Sequence, residues 1–526
     1  MRKKTSHFEQ EHYIENFVQS IFDSASENGS IDFSKGMLAI GGDGRFYNRT
    51  AIQTIVRIAA ANGFGRILIG RGGFLSTPAM SALIRRRAAF GGILLTASHN
   101  PGGPNADFGI KYNIRNGGPA PESVTESIYA QTLKIRRFLT LESSNVDIDQ
   151  EGTCLVGNTQ VCVIDPLEDY SEVMKKIFDF EALRGLFQRG FRLRFDAMHG
   201  VTGLYARHIF EKVLGAPMGT VIHGAPLEDF GGLHPDPNRL HAAGLVQSMS
   251  DAGAPDMGAA CDGDGDRNMI LGRGFFVGPG DSLAVIAEHA CGCIPGYRAG
   301  LAGVARSMPT STAVDRVART LGIECYETPT GWKYFGKLID AGLCTICGEE
   351  SFGTGSNHVR EKDGLWAVLA WLSILAVKNR SIAQIVGDHW QRYGRSYFER
   401  HDYEGLDSQA AHEMIDGLRD TIKDYVGHRL GSAAVVQADD FCYTDPVDGS
   451  VNAGQGIRML FDDGSRVIAR LSGTGTEGAT LRLYFERYRN GGAEPVGEML
   501  KPLINFARET FRLRERFKRE QPSVVT

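Results

Sequence analysis

Ser98 stands just after a short apolar run of the chain stops. Residues 91–95 read Gly-Gly-Ile-Leu-Leu, and residues 96–103 read Thr-Ala-Ser-His-Asn-Pro-Gly-Gly. The apolar run predicts a buried strand, and the Asn-Pro-Gly-Gly segment predicts a turn, because it can neither continue a strand nor start a helix. We therefore expect the Ser98 hydroxyl on an exposed, tightly turned loop, where it is a candidate nucleophile. Taken alone, the same residues are also typical of an ordinary polar turn.

Three aspartates, Asp262, Asp264 and Asp266, alternate with glycines in a second loop. Carboxylates on alternate residues can converge on one hard cation, whereas three aspartates held together without a cation would repel one another. An EF-hand does not explain the pattern, because the sixth and twelfth positions are Arg267 and Arg273 rather than glycine and glutamate. The loop therefore predicts a site for Mg²⁺, which accepts a small set of oxygen ligands alongside phosphate.

Two further loops carry side chains suited to a sugar or a phosphate. Residues 348–353 read Gly-Glu-Glu-Ser-Phe-Gly, whose carboxylates and hydroxyl could bind sugar hydroxyls, although such residues more often cap helices or lie on surfaces. Residues 472–476 read Ser-Gly-Thr-Gly-Thr and are bracketed by Arg470 and Arg482. Backbone amides, hydroxyls and guanidinium groups converge well on a phosphate dianion, and a glycine hairpin is the alternative.

These loops need elements that bring them together. Short apolar runs at 37–40 and 66–70 alternate with a helical pattern at 51–61, which predicts a mostly parallel sheet with its active loops at one edge. The apolar run at 365–377 is shorter than the roughly 20 residues of a membrane span, so it predicts a buried helix. Residues 394–403 are polar and are expected to join a third unit to a fourth.

Length and composition narrow the class of protein. A chain of 526 residues predicts three or four domains. A net charge of -5 leaves no basic excess for a nucleic-acid backbone, so no nucleic-acid partner is expected. The nine cysteines are an odd number without the density of a disulfide framework, which indicates reduced thiols and a cytoplasmic location. No membrane span is expected. Chemistry on small molecules is the function that the composition favours.

The four loops together resemble the α-D-phosphohexomutase family, and the phosphoglucomutase branch in particular. The resemblance rests on residues 96–103, 107–113, 116–121, 262–267, 348–353 and 470–484. It implies an α/β protein with three similar mixed α/β domains and a smaller α+β C-terminal domain around a central cleft. The expected domains are a phosphoserine-loop domain, a metal-loop domain, a sugar-loop domain and a phosphate-binding domain, at 1–188, 189–279, 280–395 and 396–526.

The resemblance also implies a reaction. Phosphorylated Ser98 would exchange its phosphoryl group with the sugar, converting glucose 1-phosphate and glucose 6-phosphate into each other. Glucose 1,6-bisphosphate would be the intermediate and activator, and Mg²⁺ would be held by the phosphoserine and the three aspartates. The candidate groups for proton transfer or charge stabilisation are His99, Lys111 and Lys362, which the sequence does not rank.

The remaining implied contacts are to the substrate. Arg267 would offset excess negative charge near the reacting group. The sugar would be held by Thr330, Gly331, Glu349 and Ser351. The stationary phosphate would be held by Arg470, Ser472, Gly473, Thr474 and Arg482. The protein is expected to act on small sugar phosphates as a monomer. The alternative is a catalytically impaired binding or structural relative of the parafusin-like or aciculin-like type.

Two departures from the family pattern stand out. Family members carry Thr-Ser-Gly-Leu-Arg-Lys near the N-terminus, whereas this chain opens Met1-Arg2-Lys3-Lys4, which matches only the arginine and lysine. The resemblance therefore implies that Arg2, the family's arginine beside the transferring group, lies on a free terminus that frays readily. We expect impaired catalysis and a less stable first domain in a chain of this form. Glu477 also places a negative charge close to the expected phosphate.

Overall fold

The computed structural model describes the chain in five stretches. These are residues 1–26, 32–472, 478–492, 494–519 and 521–526. The described chain forms three mixed α/β units, each built on its own sheet, followed by a C-terminal unit whose large sheet is antiparallel. The expected α/β architecture is confirmed.

The first unit contains a seven-stranded sheet. Its strands are Arg2–Lys4 (β1), Met37–Gly42 (β2), Arg66–Phe74 (β3), Gly91–Leu95 (β4), Asp107–Asn113 (β5), Gly152–Val156 (β6) and Thr159–Ile164 (β7). Its helices are Thr5–Phe8 (α1), Tyr13–Ser26 (α2), Asn48–Ala61 (α3), Thr77–Arg87 (α4) and Glu122–Thr132 (α5). The strand order is β1-β5-β4-β2-β3-β7-β6. Because β4, β2, β3 and β7 are parallel, their carboxyl ends meet at one edge, and Ser98 follows β4 there.

The edge strand β1 corrects the expectation for the N-terminus. Arg2 to Lys4 pair antiparallel with Gly109 to Asp107, and the Met1 amino group donates a hydrogen bond to the Ile110 carbonyl oxygen at 2.7 Å. The expectation that Arg2 lies on a fraying terminus is therefore wrong. Backbone pairing to β5 holds Arg2 beside the loops that follow the parallel strands.

The second unit contains a five-stranded sheet in the order β12-β11-β10-β8-β9. Its strands are Leu193–Asp196 (β8), Val221–Ile222 (β9), Met257–Cys261 (β10), Asn268–Gly272 (β11) and Phe275–Val277 (β12). The helices before and within it are Glu168–Ile177 (α6), Phe180–Gln188 (α7), Thr202–Ala206 (α8) and Ala243–Ser248 (α9). A π-helix, Arg207–Val213, continues α8. The aspartate loop leaves β10, a central strand buried along its whole length.

The third unit contains a four-stranded sheet in the order β14-β13-β15-β16. Its strands are Gly303–Ser307 (β13), Glu324–Thr328 (β14), Ile346–Gly348 (β15) and Thr354–Ser356 (β16). Its helices are Pro279–Cys293 (α10), Ala313–Leu321 (α11), Trp332–Asp340 (α12), Gly364–Lys378 (α13) and Ile382–Tyr393 (α14). The predicted buried helix is α13, whose Trp366 and Trp371 are fully buried. Its apolar cluster includes side chains from all three α/β units and so packs them together.

No single helix in the described stretches is long and apolar enough to cross a membrane. Helices α13 and α14 meet the length and composition requirement only as a pair, and they are bent by 85° relative to each other.

The C-terminal unit contains a seven-stranded sheet in the order β18-β19-β22-β23-β24-β17-β25 and a separate pair, β20-β21. Its strands are Arg395–Leu406 (β17), Arg429–Leu430 (β18), Ala433–Asp440 (β19), Tyr443–Thr444 (β20), Val451–Asn452 (β21), Ile457–Phe461 (β22), Arg466–Ser472 (β23), Ala479–Arg489 (β24) and Val524–Val525 (β25). Its helices are Ser408–Thr421 (α15), Val496–Thr510 (α16) and Leu513–Phe517 (α17). Short 3₁₀ turns elsewhere are Phe33–Lys35, Phe230–Gly232, Pro295–Tyr297 and Ile422–Tyr425.

The strand β17 corrects the linker expected at residues 394–403. This stretch runs through the C-terminal sheet between β24 and β25. Its charged side chains are buried in pairs, such as Arg400 with Asp402 at 2.9 Å, so a polar composition was mistaken for a solvated connection.

Candidate active site

Ser98 lies in the turn that follows β4. Its backbone is left-handed, with a φ of 54°, and the residue is only 7% exposed. The tight turn is present, but the expectation of an exposed serine is wrong because the aspartate loop covers it. Gly263 approaches so closely that a Cβ there would lie 3.0 Å from the Ser98 carbonyl oxygen. The Ser98 hydroxyl donates to Asp262 Oδ2 at 3.1 Å, and His99 Nδ1 lies 3.5 Å from that hydroxyl.

A buried ion pair from the loop after β2 holds this turn in place. Arg45 and Asp43 are fully buried and lie 2.9 Å apart. Arg45 donates to the Ser98 carbonyl oxygen at 2.7 Å, while Asp43 accepts from the Thr96 hydroxyl at 2.5 Å. The Ser98 amide in turn donates to that Thr96 oxygen at 2.8 Å. A left-handed residue other than glycine needs such support, so the pair pre-organises the serine.

The three aspartates follow β10 and meet Ser98. Asp262, Asp264 and Asp266 are buried, and one carboxylate oxygen from each lies within 4.8 Å of the others. One oxygen of Asp264 (Oδ1) and one of Asp266 (Oδ1) are buried without a hydrogen-bond partner in the described part of the chain. A buried acceptor left without a partner is costly, and a small all-oxygen set is what Mg²⁺ accepts. The donor set therefore fits the expected magnesium ion.

A second group of possible metal ligands lies nearby but does not fit an ion as it stands. His234, Asp236 and His241 offer ligand atoms within 4.8 Å of one another. The two imidazole rings are stacked, with centroids 4.2 Å apart and planes 15° apart, so their in-plane lone pairs do not meet on one point. Asp236 is also paired with Arg267 at 3.0 Å. Its carboxylate therefore serves the arginine.

Both predicted lysines contact the aspartate loop. Lys111 Nζ, on β5, lies 2.7 Å from Asp264 Oδ2 and 3.8 Å from Asp266 Oδ2. Lys362 Nζ lies 3.3 Å from Asp266 Oδ2 and 3.7 Å from Glu349 Oε2. Lys362 thus spans the gap between the aspartate loop and the loop that follows β15. That position places a positive charge between the aspartate loop and the residues expected to hold a sugar.

Two predicted arginines lie around the same cluster. The Arg267 amide donates to Asp262 Oδ1 at 3.0 Å, while its guanidinium is turned toward Asp236. Arg267 therefore shapes the loop and neutralises charge at its rim. Burial lowers the pKa of Arg2, the positive charge of Arg267 lowers it further, and the negative charge of Asp264 raises it. Arg2 therefore lies within electrostatic reach of the site.

The titratable groups show how strongly this cluster is buried. Burial raises the pKa of Asp262 well above its usual value, and its two neighbouring aspartates raise it further. Burial also opposes ionisation of Asp264, but Lys111 more than offsets burial and lowers the pKa of that carboxyl. Burial and then Arg267 hold the pKa of His99 well below its usual value. The His99 imidazole is therefore neutral at physiological pH.

The residues expected to hold the sugar form two linked loops of the third unit. Glu349 Oε1 accepts a hydrogen bond from the Gly331 amide at 3.1 Å, which joins the loop after β15 to the start of α12. Gly331 has a φ of 133°, a conformation that favours glycine. Thr330 Oγ1 is buried with no hydrogen-bond partner among the residues described, and Ser351 is half-buried in the same loop as Glu349.

The expected phosphate site lies on the C-terminal sheet. Arg470 on β23 and Arg482 on β24 are paired across the two strands, and Ser472 pairs with Thr480. Arg482 Nε lies 3.5 Å from Asp402 Oδ2. The predicted residues Gly473 and Thr474, together with Glu477, lie outside the described residues.

Arg400 is a functional candidate that the sequence analysis missed. It shares Asp402 with Arg482, since Arg400 Nε lies 2.9 Å from Asp402 Oδ1. Two guanidinium groups thus share one carboxylate, which leaves net positive charge on this face. Arg400 and the three residues that follow it on β17 are all buried, so burial does not alternate here and no sequence pattern pointed to this residue.

Comparisons with known protein families agree along the chain. Family models described as "Phosphoglucomutase/phosphomannomutase, alpha/beta/alpha domain" I, II and III match residues 1–138, 168–274 and 279–393. A fourth, "Phosphoglucomutase-1, C-terminal domain", matches residues 395–523.

Individual relatives are similar over 82–96% of their own length. A phosphoglucomutase from Rhizobium radiobacter is 54% identical, with 100% of this chain and 96% of that protein covered. A probable cytoplasmic phosphoglucomutase 1 from Arabidopsis thaliana is 49% identical over 100% and 96% of the two chains. A chloroplastic phosphoglucomutase 1 from Marchantia polymorpha is 51% identical over 100% and 82%. Because both locations occur, the cytoplasmic location stays a prediction.

Solved structures give the same result. The open form of pp63/parafusin from Paramecium, described as an exocytosis-sensitive phosphoprotein and phosphoglucomutase, has a TM-score of 0.92 at 47% identity. That match covers 100% of this chain and 96% of the parafusin chain. A phosphoglucomutase/phosphomannomutase family protein from Burkholderia thailandensis shares the fold, with a TM-score of 0.68 at 19% identity over 98% and 96%.

Proposed function

The chain belongs to the phosphoglucomutase/phosphomannomutase family and is an enzyme, and from this premise we propose that it interconverts glucose 1-phosphate and glucose 6-phosphate. The observation that carries the proposal is the position of Lys362. Its Nζ lies 3.3 Å from Asp266 in the aspartate loop and 3.7 Å from Glu349 in the sugar loop. One lysine therefore joins the group beside Ser98 to the residues expected to hold a sugar.

The proposed reaction begins with a phosphoryl group on Ser98. The O6 hydroxyl of glucose 1-phosphate attacks this group, a new O6–P bond forms, and the Ser98 Oγ–P bond breaks. Glucose 1,6-bisphosphate then turns over within the site, and Ser98 Oγ attacks the phosphorus at O1. The O1–P bond breaks, glucose 6-phosphate leaves, and phosphorylated Ser98 is restored, so no atom is gained or lost.

The chain's own groups supply positioning and charge. Asp262, Asp264, Asp266 and the Ser98 phosphate would hold Mg²⁺, which supplies Lewis-acid stabilisation of charge on the transferring oxygens. Lys111 and Lys362 each place a positive charge beside Asp266. The left-handed turn at Ser98 fixes the direction of its hydroxyl, so little reorganisation is needed during transfer.

Proton transfer at the sugar hydroxyl needs a group near Ser98, and three candidates stay open: His99, Lys111 and Lys362. His99 is supported by its distance, since its Nδ1 lies 3.5 Å from the serine hydroxyl. The two lysines are supported by their place along the path of the moving group. Substitution of each in turn, with the pH profile of kcat as the readout, would rank them.

The far end of the substrate would rest on the C-terminal sheet. Arg470, Arg482 and Arg400 would hold the phosphate that is not transferred, in both orientations of the bisphosphate. Glu349 and Ser351 would contact the sugar hydroxyls between the two ends. We propose that this loop favours glucose over mannose, whose 2-hydroxyl points the other way.

The test is turnover of glucose 1-phosphate by the purified chain with Mg²⁺ and a trace of glucose 1,6-bisphosphate. We expect glucose 6-phosphate to form, with a kcat/KM well above that for mannose 1-phosphate. Comparable values for the two sugars would contradict the specificity. No turnover of either sugar would contradict the function.

A further inference from the structure

Glu349 and Glu350 are neighbours in the sugar loop, but they face different parts of the protein. Glu349 points toward Lys362 and Gly331. Glu350 is only 3% exposed, and its Oε2 accepts from the Ser307 hydroxyl at 2.9 Å and from the Thr310 hydroxyl at 3.3 Å. Its other oxygen, Oε1, accepts from the Tyr484 hydroxyl of the C-terminal sheet at 3.2 Å. The Glu350 side chain therefore points away from Lys362 and toward the C-terminal sheet, where the phosphate is expected to bind.

Tyr484 continues the connection. It lies on β24, two residues from Arg482, and is 1% exposed. Arg470 Nη1 lies 3.5 Å from its hydroxyl, so the hydroxyl accepts from the arginine while it donates to Glu350. A continuous hydrogen-bonded row thus runs from an arginine expected to hold phosphate, through Tyr484 and Glu350, to the loop expected to hold the sugar.

The surroundings make this row sensitive to charge. Tyr484 belongs to an apolar cluster between the third and C-terminal units, together with Met308, Tyr334, Phe441, Tyr443 and Ile468. Water is excluded there, so electrostatic effects act over longer distances than at a surface. Burial opposes ionisation of Glu350, but Arg470 and Arg400 more than offset it and lower the pKa of that carboxyl. The two arginines that stabilise the Glu350 carboxylate are thus the ones expected to hold a phosphate dianion.

We propose that Glu350 and Tyr484 are positioning residues that couple phosphate binding on the C-terminal sheet to the setting of the sugar loop. A phosphate dianion at Arg470 draws that guanidinium toward itself and changes its contact with Tyr484, and the change reaches Glu350 through one hydrogen bond. Glu349 and Ser351, on either side of Glu350, then take their sugar-binding positions. This inference rests on the proposed function, and neither residue touches the substrate in it.

The first experiment measures the coupling without turnover. Inorganic phosphate is added to the full chain, and amide hydrogen exchange is followed in the peptide covering 346–356. We expect phosphate to slow exchange of this peptide by at least about twofold in the wild type, and the effect to vanish in Tyr484→Phe and in Glu350→Gln.

A matched control lies in the same apolar cluster. The Tyr443 hydroxyl is buried without a hydrogen-bond partner in the parts of the chain that the structure describes, so Tyr443→Phe removes a hydroxyl but no link. Tyr443→Phe should keep the phosphate effect. The proposal is overturned if phosphate slows the peptide equally in all four proteins, or fails to slow it in the wild type.

The second experiment uses kinetics. Tyr484→Phe and Glu350→Gln should each lower kcat/KM for glucose 1-phosphate by about tenfold, and the double variant should be no worse than the poorer single variant, because one link is lost in each case. Multiplying losses would mean that the two residues act independently and would overturn the proposal. If the wild type shows no turnover, the proposed function fails, while the exchange experiment still decides the coupling.

Discussion

Two clusters of largely buried charge differ in how completely their carboxylates are paired. The aspartate cluster contains Asp262, Asp264 and Asp266 with Lys111 and Lys362. The interface cluster, between the third and C-terminal units, contains Arg306, Glu327, Arg458, Arg466 and Glu486. Both lie where units of the protein meet.

In the interface cluster each carboxylate oxygen has a partner. Glu486 Oε1 accepts from Ser311 and Thr312, and its Oε2 accepts from Arg466. Glu327 receives Arg306 on one oxygen and Arg458 on the other, each at 2.8 Å. All four carboxylate oxygens are thus paired, and the pairs join the third unit to the C-terminal unit.

In the aspartate cluster some carboxylate oxygens are not hydrogen-bonded. One oxygen each of Asp264 and Asp266 has no hydrogen-bond partner within the described residues, although both side chains are buried. In this cluster a bound ion would supply the missing partner. Between these two clusters, the fully paired one therefore joins units of the fold, and the partly unpaired one is the candidate metal site.

The largest effect we expect is at the aspartate cluster's neighbour, Ser98. Ser98→Ala should lower kcat by at least about a thousandfold, because the covalent step is lost. The hydroxyl donates one hydrogen bond, so the melting temperature should change little. Turnover assays and thermal unfolding measure both, with the exposed Ser144→Ala as the control. Activity retained in Ser98→Ala would break the assignment of this cluster to catalysis.

The interface cluster should respond in the opposite way. Glu486→Gln should lower the free energy of unfolding by about 3 kcal/mol, because it leaves the Arg466 charge buried and uncompensated. The KM of the variant should stay close to that of the wild type. Denaturant unfolding of the variant and the wild type measures this. A variant as stable as the wild type would mean that full pairing does not mark a structural joint.

The same carboxyl should carry an acid dependence. Burial opposes ionisation of Glu486, but Arg466, together with Arg316 and hydrogen bonds, more than offsets burial, and the pKa falls from 4.5 to about 2. A carboxyl whose pKa is lower in the folded state than in the unfolded state stabilises the fold at pH values above the unfolded-state pKa. This stabilisation is lost as the pH falls from about 4.5 toward 2. The wild type should therefore lose this stability in that interval. Glu486→Gln should lack that part of the loss, and parallel stability curves would contradict it.

A smaller effect is expected for the metal requirement. Asp264→Asn should raise the Mg²⁺ concentration for half-maximal activity by about tenfold to a hundredfold, since one of the charged ligands expected for the ion is removed. In addition, Mg²⁺ should raise the melting temperature of the wild type more than that of the variant. An unchanged metal dependence in both measurements would show that the unpaired oxygens do not serve an ion.

The smallest effect serves as the baseline for the comparison. Arg380 and Asp388 form an exposed pair at 2.5 Å, with side chains about half exposed. Asp388→Asn should change the free energy of unfolding by less than about 1 kcal/mol, because solvent screens the pair. If Asp388→Asn lowered the free energy of unfolding as much as Glu486→Gln does, burial would not explain why the Glu486 pair matters more for stability.

The sequence indicated which residues of the main loops lie together better than how deeply they are buried. Ser98 and the three aspartates were found because each loop follows an apolar strand and carries residues with few other uses. The burial of Ser98 was missed, since its cover comes from the aspartate loop, more than 150 positions away. Local turn chemistry carries no information about a contact of that range.

The C-terminal unit was the part of the structure that the sequence predicted least well. Arg400 and Asp402 lie in a stretch whose polar composition predicted a connection, yet both are buried in a strand. A charged residue is expected at the surface unless a partner is known, and Arg482, which shares Asp402, comes from another strand. The link from Tyr484 to Glu350 escapes the sequence for the same reason.

The central claim is that Ser98 carries the phosphoryl group between the two ends of the sugar. The most direct measurement is to incubate the protein with Mg²⁺ and glucose 1,6-bisphosphate labelled in its phosphates, digest it, and locate the label by mass spectrometry. We predict label on the Ser98 hydroxyl alone, and its loss when unlabelled glucose 1-phosphate is added. Turnover of glucose 1-phosphate with no label on Ser98, or with label on another residue, would contradict the account.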